Sequence, residues 1–205
     1  MTMGNSHIVK RIILDAHEQG RNFRVIVADS RPRHEGKQLL RKLVKHGVRC
    51  SYVLLNACSY VMKEVTKVLL GAHAVFSNGY VMSRVGCAMV AMLAKDANVP
   101  VLVCCETYKF SDRVQTDSFV FNELGDPDDL ISLDHDTRAM GGASVGGTNT
   151  RLDDWRDQPT LKLLNLVYDV TPPSLIDVIV TEVGLLPTTS VPVVLREYMS
   201  HLPNM

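Results

Sequence analysis

The stretch Phe23-Arg24-Val25-Ile26-Val27-Ala28 decides the fold. Its three consecutive β-branched residues are typical of a strand that is buried on both faces, as in a parallel sheet. Comparable apolar strands are predicted at 51–55, 67–70 and 101–104. Apolar residues at helical spacing predict helices over 6–20, 36–46, 60–65 and 83–98. Alternating strands and helices indicate an α/β fold, with a Rossmann-like, mostly parallel sheet and helices on both faces.

The second half of the chain is less regular. Residues 125–160 are predicted to form a flexible excursion within a single domain over 1–205. Thr171-Pro172-Pro173 predicts the start of a helix that ends at Gly184, and residues 191–198 are expected to pack against the domain. Buried positions are assigned in two helices: Ile176, Ile179 and Val180 in the one after Thr171, and Val85, Met89, Met92 and Leu93 in the one over 83–98.

Composition and charge exclude several classes of protein. The chain has 205 residues, 46% of them hydrophobic, and no apolar run approaches the roughly 20 residues that span a bilayer. A formal net charge of zero argues against a generally basic nucleic-acid-binding protein. The zero is a cancellation, because residues 1–115 carry 17 Lys and Arg against 8 Asp and Glu, and residues 116–205 carry 5 against 14. The odd number of cysteines, 5, indicates a reducing cytosol rather than a disulfide framework.

Motifs for cofactor or metal chemistry are scarce. No GxGxxG or GxxxxGK[ST] follows a predicted strand, and the glycine-rich stretch 141–147 is interpreted as a flexible linker rather than a phosphate cradle. We therefore predict no cofactor and no metal site. Cys104 and Cys105 close a strand, where a nucleophilic thiol could lie. Buried apolar filler is the favoured interpretation, because the sequence ties no base to either thiol.

A basic stripe is predicted on the helix over 36–46. Lys37, Arg41 and Lys45 follow one another at intervals of four residues, opposite a leucine stripe. Two interpretations stay open: a solvated helix face, or a surface that binds an acidic or phosphorylated partner.

Three motifs, in this order along the chain, carry a family resemblance. They are Asp29-Ser30-Arg31-Pro32 with Gly36, the stretch from Gly71 to Gly86 that contains Ser77-Asn78-Gly79, and Tyr168-Asp169-Val170-Thr171-Pro172-Pro173. The sequence resembles the family that unites methylthioribose-1-phosphate isomerase, ribose-1,5-bisphosphate isomerase and the alpha, beta and delta subunits of eukaryotic translation initiation factor 2B. The stretch from Pro100 to Phe110 is most similar to the delta-subunit branch. Because family members carry a helical N-terminal domain, we expect the chain to be the C-terminal domain alone.

Departures from the family pattern separate the enzymes from the subunits. The resemblance implies that the isomerases use a Cys and an Asp where this chain has Gly4 and His73. Glu35 replaces a Gln of the enzymes, and like charges there would disfavour a sugar phosphate. Arg84 follows Ser83 where the family has Asn-Lys. We therefore expect a degenerate ligand pocket formed by Gly4, Arg31, Glu35, Gly36, His73, Asn78 and Arg84.

The resemblance implies a non-catalytic regulatory subunit of the guanine-nucleotide exchange factor for initiation factor 2. Its expected partners are the alpha, beta, gamma and epsilon subunits and initiation factor 2 itself, in the cytosol, without membrane or direct nucleic-acid contact. Five apolar positions are expected at a subunit interface: Leu185, Leu186, Val193, Val194 and Leu195. The alternative is a sugar-phosphate isomerase with relocated chemistry that uses His73 with Cys104 or Cys105.

Overall fold

The computed structural model describes residues 1–118, 121–131, 152 and 154–201. The helices are α1 (His7–Glu18), α2 (Gly36–Lys45), α3 (Cys58–Val61), α4 (Cys87–Asp96) and α5 (Val191–His201). The strands are β1 (Thr2–Met3), β2 (Arg24–Asp29), β3 (Arg49–Leu54), β4 (Val68–Gly71), β5 (Ala74–Phe76), β6 (Val81–Arg84), β7 (Val101–Cys104), β8 (Phe110–Ser111), β9 (Tyr168–Thr171), β10 (Val178–Thr181) and β11 (Gly184–Leu186).

Seven of these strands form the main sheet, in the order β11-β10-β7-β4-β1-β2-β3. Every neighbouring pair is parallel except β10 with β11, which pair antiparallel at one edge. The order of the parallel strands reverses direction at β1, as in a doubly wound fold. The predicted α/β class and mostly parallel sheet are confirmed.

Strand β2 shows why both faces of the main sheet need helices. Its alternate residues Val25 and Val27 pack with α1 and α2, and Ile26 and Ala28 pack with α3 and α4 on the other face. All four side chains are buried, because successive residues of a strand point to opposite faces. The continuous apolar run at 25–28 is therefore explained by burial on both sides.

Four further strands form a small sheet, in the order β8-β5-β6-β9, which the sequence did not predict. Strands β5 and β6 form a hairpin, β8 runs parallel to β5, and β9 pairs antiparallel with β6. The small sheet joins β6, which follows β4 and β5, to β9, which lies almost ninety residues further along the chain. It lies beside the carboxyl edge of the main sheet and supplies several residues of the candidate site.

The predicted helix over 83–98 is wrong at its start and in its buried face. Residues 81–84 are strand β6, and α4 begins at Cys87 after Gly86, whose φ of 105° favours glycine. Met89 and Met92 are 54% and 60% exposed. The buried residues of α4 are the smaller Cys87, Val90, Ala91 and Ala94, which allow the helix to approach the sheet closely. Of the four positions assigned to the core, Val85 and Leu93 are half-buried.

The predicted helix from Thr171 to Gly184 is also wrong. The chain there forms the end of β9, a short 3₁₀ turn at Pro173–Leu175, and strand β10. The run Val178-Ile179-Val180-Thr181 is β-branched throughout, and parallel pairing with β7 selects the strand. Ile176 and Ile179 are buried as predicted, although in another element.

The predicted excursion is only partly described. Short 3₁₀ turns occur at Pro127–Leu130 and Trp155–Asp157, where Arg156 forms two hydrogen bonds with the carboxylate of Asp128 at 2.9 and 2.8 Å. The glycine-rich stretch 141–147 lies outside the described residues. The tail packs as predicted, since α5 buries Val191 against the core. No helix in the described part of the chain is long and apolar enough to cross a membrane.

Candidate functional site: a cleft at the carboxyl edge of the main sheet

A cleft opens where β1 and β4 end, which is the point at which the strand order reverses. Ligands of doubly wound proteins bind at this position. The cleft has a smaller and a larger compartment, and both are lined by Met3 and Arg84. The smaller compartment also contains Gly4, Arg31, Arg33 and Glu35. The larger contains Ser6, His73, Lys109 and Tyr168. Most of the predicted pocket residues therefore lie together.

Arg84 separates the two compartments and is already engaged by this chain. Its Nε donates a hydrogen bond to Glu35 Oε2 at 3.1 Å, and its Cζ lies 5.1 Å from the centre of the Tyr168 ring. Arg33 approaches the other oxygen of Glu35 at 3.9 Å. The Glu35 carboxylate thus lies between two guanidinium groups, where an anionic ligand would otherwise be attracted.

The loop that presents Arg31, Arg33 and Glu35 is held by the buried Asp29. The Asp29 carboxylate accepts hydrogen bonds from the backbone N–H of Ser30 at 3.0 Å and from the Tyr52 hydroxyl at 2.9 Å. A Cβ on Gly36 would lie 2.7 Å from Asp29 Cγ, so only glycine allows this approach. Gly36 therefore shapes the loop without lining the cleft.

The positions that the resemblance assigns to the isomerases' Cys and Asp line different compartments of the cleft, Gly4 the smaller and His73 the larger. Gly4 has a φ of 63°, which favours glycine, and its backbone N–H donates to Ala28 O at 2.9 Å. His73 is exposed and stacks on Tyr168, with ring centroids 4.5 Å apart. Gly4 brings no side chain toward His73, so these two positions do not form an acid–base pair.

The two adjacent thiols are poor candidates for relocated chemistry. Cys104 and Cys105 are both 1% exposed. Burial raises the pKa of Cys104 to about 11 and that of Cys105 to about 12. Since the thiolate is the nucleophile, both groups are almost entirely protonated at neutral pH. This agrees with the favoured interpretation of the pair as apolar filler.

Lys109 provides a second cation in the larger compartment. Its Nζ lies 2.8 Å from Glu106 Oε2 and donates to Ala72 O at 3.3 Å. Burial opposes the charged amine, but the hydrogen bond to Glu106 raises the pKa of Lys109 overall. Lys109 is therefore charged at neutral pH and is largely neutralised by its partner.

Asp169 is a structural residue of the site that sequence reasoning did not single out. Its Oδ2 accepts hydrogen bonds from the backbone N–H groups of Gly86 at 2.7 Å and Ala88 at 2.9 Å, at the start of α4. Burial raises the pKa of Asp169 to about 6, although these hydrogen bonds favour the carboxylate. The motif at 168–173 contains this aspartate, which was the available sign of its importance. No neighbouring residue indicated that its carboxylate would contact α4.

Other predicted residues lie away from the cleft. Asn78 belongs to the turn between β5 and β6, where its Nδ2 donates to Gln115 O at 3.0 Å, and it lines neither compartment. Arg41 and Lys45 are exposed on α2 and Lys37 is half-buried, opposite the buried Leu39 and Leu43. The predicted basic stripe therefore faces outward.

The five apolar positions expected at an interface divide into two groups. Leu185 and Val193 are 68% and 48% exposed. Leu186, Val194 and Leu195 pack against the chain's own core, so the structure corrects the expectation that all five are exposed. No group of three or more His, Cys, Asp or Glu side chains in the described residues could hold a metal ion.

The fold and the cleft together define the class: a doubly wound α/β domain with a small second sheet beside the switch point. The chain belongs to the initiation factor 2 subunit family, whose model matches residues 1–188. It is 52% identical over 198 residues to the delta subunit of translation initiation factor 2B from Dictyostelium discoideum, and covers 31% of that protein. It is 32% identical over 197 residues to ribose 1,5-bisphosphate isomerase from Pyrococcus furiosus, and covers 55% of it.

A solved structure with the same architecture is a tetrameric complex of two beta and two delta subunits of initiation factor 2B from C. thermophilum. The TM-score is 0.68 with 27% identity, over 87% of this chain and 48% of that one. The alignments to these two curated relatives cover 97% and 96% of this chain. The chain thus spans about a third to about a half of the length of the relatives that it matches.

Proposed function

We propose that this chain is a non-catalytic, delta-type regulatory subunit of the guanine-nucleotide exchange factor for translation initiation factor 2. It acts in the cytosol, assembles with the alpha, beta, gamma and epsilon subunits and senses the phosphorylated form of initiation factor 2. The 52% identity to a delta subunit supports the type. The observation that supports the non-catalytic part is the cleft, where Glu35 engages Arg84, and where Gly4 and His73 stand at the positions of the isomerases' Cys and Asp.

Two exposed surfaces are proposed as contacts with partners. The basic stripe of Lys37, Arg41 and Lys45 would bind an acidic or phosphorylated partner. Leu185 and Val193 would contribute to a subunit interface. Reversing the charge of the three basic residues should weaken complex formation and reduce its dependence on salt. If neither changes, the stripe is a solvated helix face.

A reconstituted exchange assay tests the proposed function. GDP release from initiation factor 2 is measured with the other four subunits, with and without this chain, and with phosphorylated and unphosphorylated factor. We expect no exchange from the chain alone. We expect the response to phosphorylation to require the chain. An assembly that responds equally well without the chain would contradict the proposal.

An isomerase assay tests the alternative suggested by the more distant relatives. The purified chain is incubated with methylthioribose 1-phosphate or with ribose 1,5-bisphosphate, and the products are analysed. We expect unchanged substrate, because the thiols of Cys104 and Cys105 are protonated and Gly4 provides no acid or base. Formation of the ketose phosphate would overturn the non-catalytic assignment.

A further inference from the structure

The turn between β5 and β6 contains the one Asn-Gly pair of the whole sequence, Asn78-Gly79. Asparagine is among the thermolabile residues of proteins, and a following glycine makes it more labile because no side chain hinders attack by the glycine's backbone nitrogen. That nitrogen attacks the side-chain carbonyl carbon, a succinimide ring forms and ammonia leaves. Water then opens the ring to aspartate or isoaspartate, so a neutral amide becomes a carboxylate.

The fold requires glycine at the second position of this pair. The φ of Gly79 is 80°, in the left-handed region that favours glycine. A Cβ on Gly79 would lie 3.1 Å from both the Cβ and the carbonyl oxygen of Thr188, in the 3₁₀ turn that precedes α5. A less labile pair with a larger second residue therefore does not fit here.

The fold also uses the amide of Asn78. Its Nδ2 donates a hydrogen bond to the backbone carbonyl oxygen of Gln115 at 3.0 Å. The neighbouring Ser77 donates its backbone N–H and its hydroxyl to Arg113 O, both at 3.1 Å. The turn thus holds the chain that follows β8 through donors that face carbonyl oxygens. An ionised carboxylate at position 78 has no hydrogen to donate and would repel the Gln115 oxygen.

The closed small sheet keeps the two reacting groups engaged elsewhere. The backbone N–H of Gly79 donates to Phe76 O at 2.8 Å, and Gly79 is buried. The side chain of Asn78 is held at both ends, because its Oδ1 also accepts a hydrogen bond from the backbone N–H of Tyr80 at 3.4 Å. Attack requires the Gly79 nitrogen to lose its proton and the Asn78 side chain to turn toward it, so these hydrogen bonds must break first.

We propose that Asn78 is a deamidation site that the closed small sheet protects, and that its conversion to aspartate or isoaspartate prevents this sheet from closing fully again. When the turn opens, the bond from the Gly79 nitrogen to Asn78 Cγ forms and the bond from Cγ to Nδ2 breaks. The proton lost by the Gly79 nitrogen is balanced by the one that Nδ2 gains as it leaves as ammonia. Each event consumes one water, releases one ammonia and is irreversible, so the product accumulates in molecules whose small sheet has opened.

The small sheet is the part of the fold where such opening is expected. Strand β5 has three residues and β8 has two, whereas β2 and β3 of the main sheet have six each. Segments with few contacts open at a lower free energy than the core of a protein. Asn78 lies at the end of this small sheet, where opening exposes it.

The first test compares the rate of deamidation in the folded chain and in urea. The full chain is incubated at mildly alkaline pH, sampled over time and digested with trypsin. The tryptic peptide 68–84 contains Asn78 and has no other asparagine and no glutamine, so a gain in mass from amide to carboxylate is assigned to one residue. An isoaspartyl methyltransferase detects the isoaspartate product separately.

Two matched variants test the protection itself. Ser77→Ala removes the hydroxyl that holds Arg113 O and leaves the Asn-Gly pair intact. Thr181→Ala removes a hydroxyl-to-carbonyl hydrogen bond of the same kind, to Gly184 O at 2.9 Å in the hairpin of β10 and β11. We expect deamidation of the folded wild type to be about tenfold slower than in urea. Ser77→Ala should be several-fold faster than the wild type when folded, and Thr181→Ala should match the wild type.

The second test measures the consequence of the modification. Asn78→Asp carries the direct product, and Asn98→Asp carries the same chemical change at an exposed residue after α4. We expect Asn78→Asp to speed hydrogen exchange at 74–84 and 110–115 and to leave 25–28 of the main sheet unchanged. Asn98→Asp should leave all three segments unchanged.

Each part of the inference has its own contrary result. Equal rates in the folded chain and in urea would overturn the protection, and an unmodified peptide 68–84 after incubation in urea would overturn the site. Hydrogen exchange in Asn78→Asp that matches the wild type would overturn the effect on closure. None of these results depends on the exchange-factor subunits, so the proposed function stands or fails separately.

Discussion

The main sheet and the small sheet are assembled in different ways. Along the main sheet, strands such as β2 and β3 are parallel neighbours joined by one helix. In the small sheet, β6 pairs with β9 across the residues between Arg84 and Tyr168. The main sheet therefore consists largely of short units, with β10 added to β7 across residues 105–177. The small sheet is closed by the long-range pairing of β6 with β9, and such closures cost more chain entropy than short ones. The cleft lies where the two meet, with Arg84 and Tyr168 from the small sheet.

The largest expected effect tests whether the main sheet dominates stability. Leu70 of β4 is 1% exposed, and Leu70→Ala should lower the free energy of unfolding by about 2–5 kcal/mol because it leaves a cavity. Val81→Ala in β6 removes fewer atoms and should cost less. Urea denaturation of both variants measures this. An equal or larger loss at Val81 would break the comparison.

The next effect concerns Asp169, whose carboxylate joins the small sheet to α4. The pKa of Asp169 is raised to about 6 by burial, so the folded state binds the proton more tightly than the unfolded chain. Its contribution to stability is greatest below about pH 4 and is lost as the pH rises through about 6, by about 2–3 kcal/mol in all. Asparagine does not titrate. The unfolding free energy of the wild type should therefore fall relative to that of Asp169→Asn over this range, whereas parallel pH profiles would contradict the coupling.

A smaller effect tests the ion pair inside the cleft between Arg84 of the small sheet and Glu35. Glu35→Gln removes the negative charge that Arg84 and Arg33 share. The freed cations should then bind inorganic phosphate, so phosphate should raise the melting temperature of Glu35→Gln by a few degrees and leave the wild type nearly unchanged. Glu35→Gln with Arg84→Ala is the control and should lose the gain. If the wild type shows the same phosphate response, Glu35 does not occupy an anion position.

The smallest effect is expected outside both sheets. Asp128 and Arg156 form a bidentate pair on the surface, and such pairs contribute little. Arg156→Ala should leave the midpoint of urea denaturation of the protein unchanged within error. A clear loss of stability would show that the segment before β9 supports the small sheet.

The main sheet could be predicted from the sequence because the patterns that indicate its strands and helices are local. The apolar runs at 25–28 and 101–104 and the leucine stripe of α2 each predict an element from neighbouring residues alone. The small sheet was missed because β5 and β6 are short and acquire their partners from distant segments. The helix predicted after Thr171 failed for the same reason, since pairing with β7 decided the conformation of 178–181.

The candidate site was predictable in part of its membership and not in its contacts, since Gly36 and Asn78 line neither compartment. The motif residues Gly4, Arg31, Glu35, His73 and Arg84 do gather at the switch point. The pairing of Arg84 with Glu35 and the reach of Asp169 to α4 depend on the relative placement of both sheets. The outward position of Met89 and Met92 was also hidden, because hydrophobicity alone cannot show that small residues hold α4 to the sheet.

The hydrogen bonds of Asp169 also couple the position of the small sheet to that of α4. Strand β9 is hydrogen-bonded to the first turn of α4 through one carboxylate. Its partner in the small sheet, β6, places Arg84 in the cleft. A load applied to the small sheet by a bound protein would therefore be transmitted to α4 and to Arg84 together.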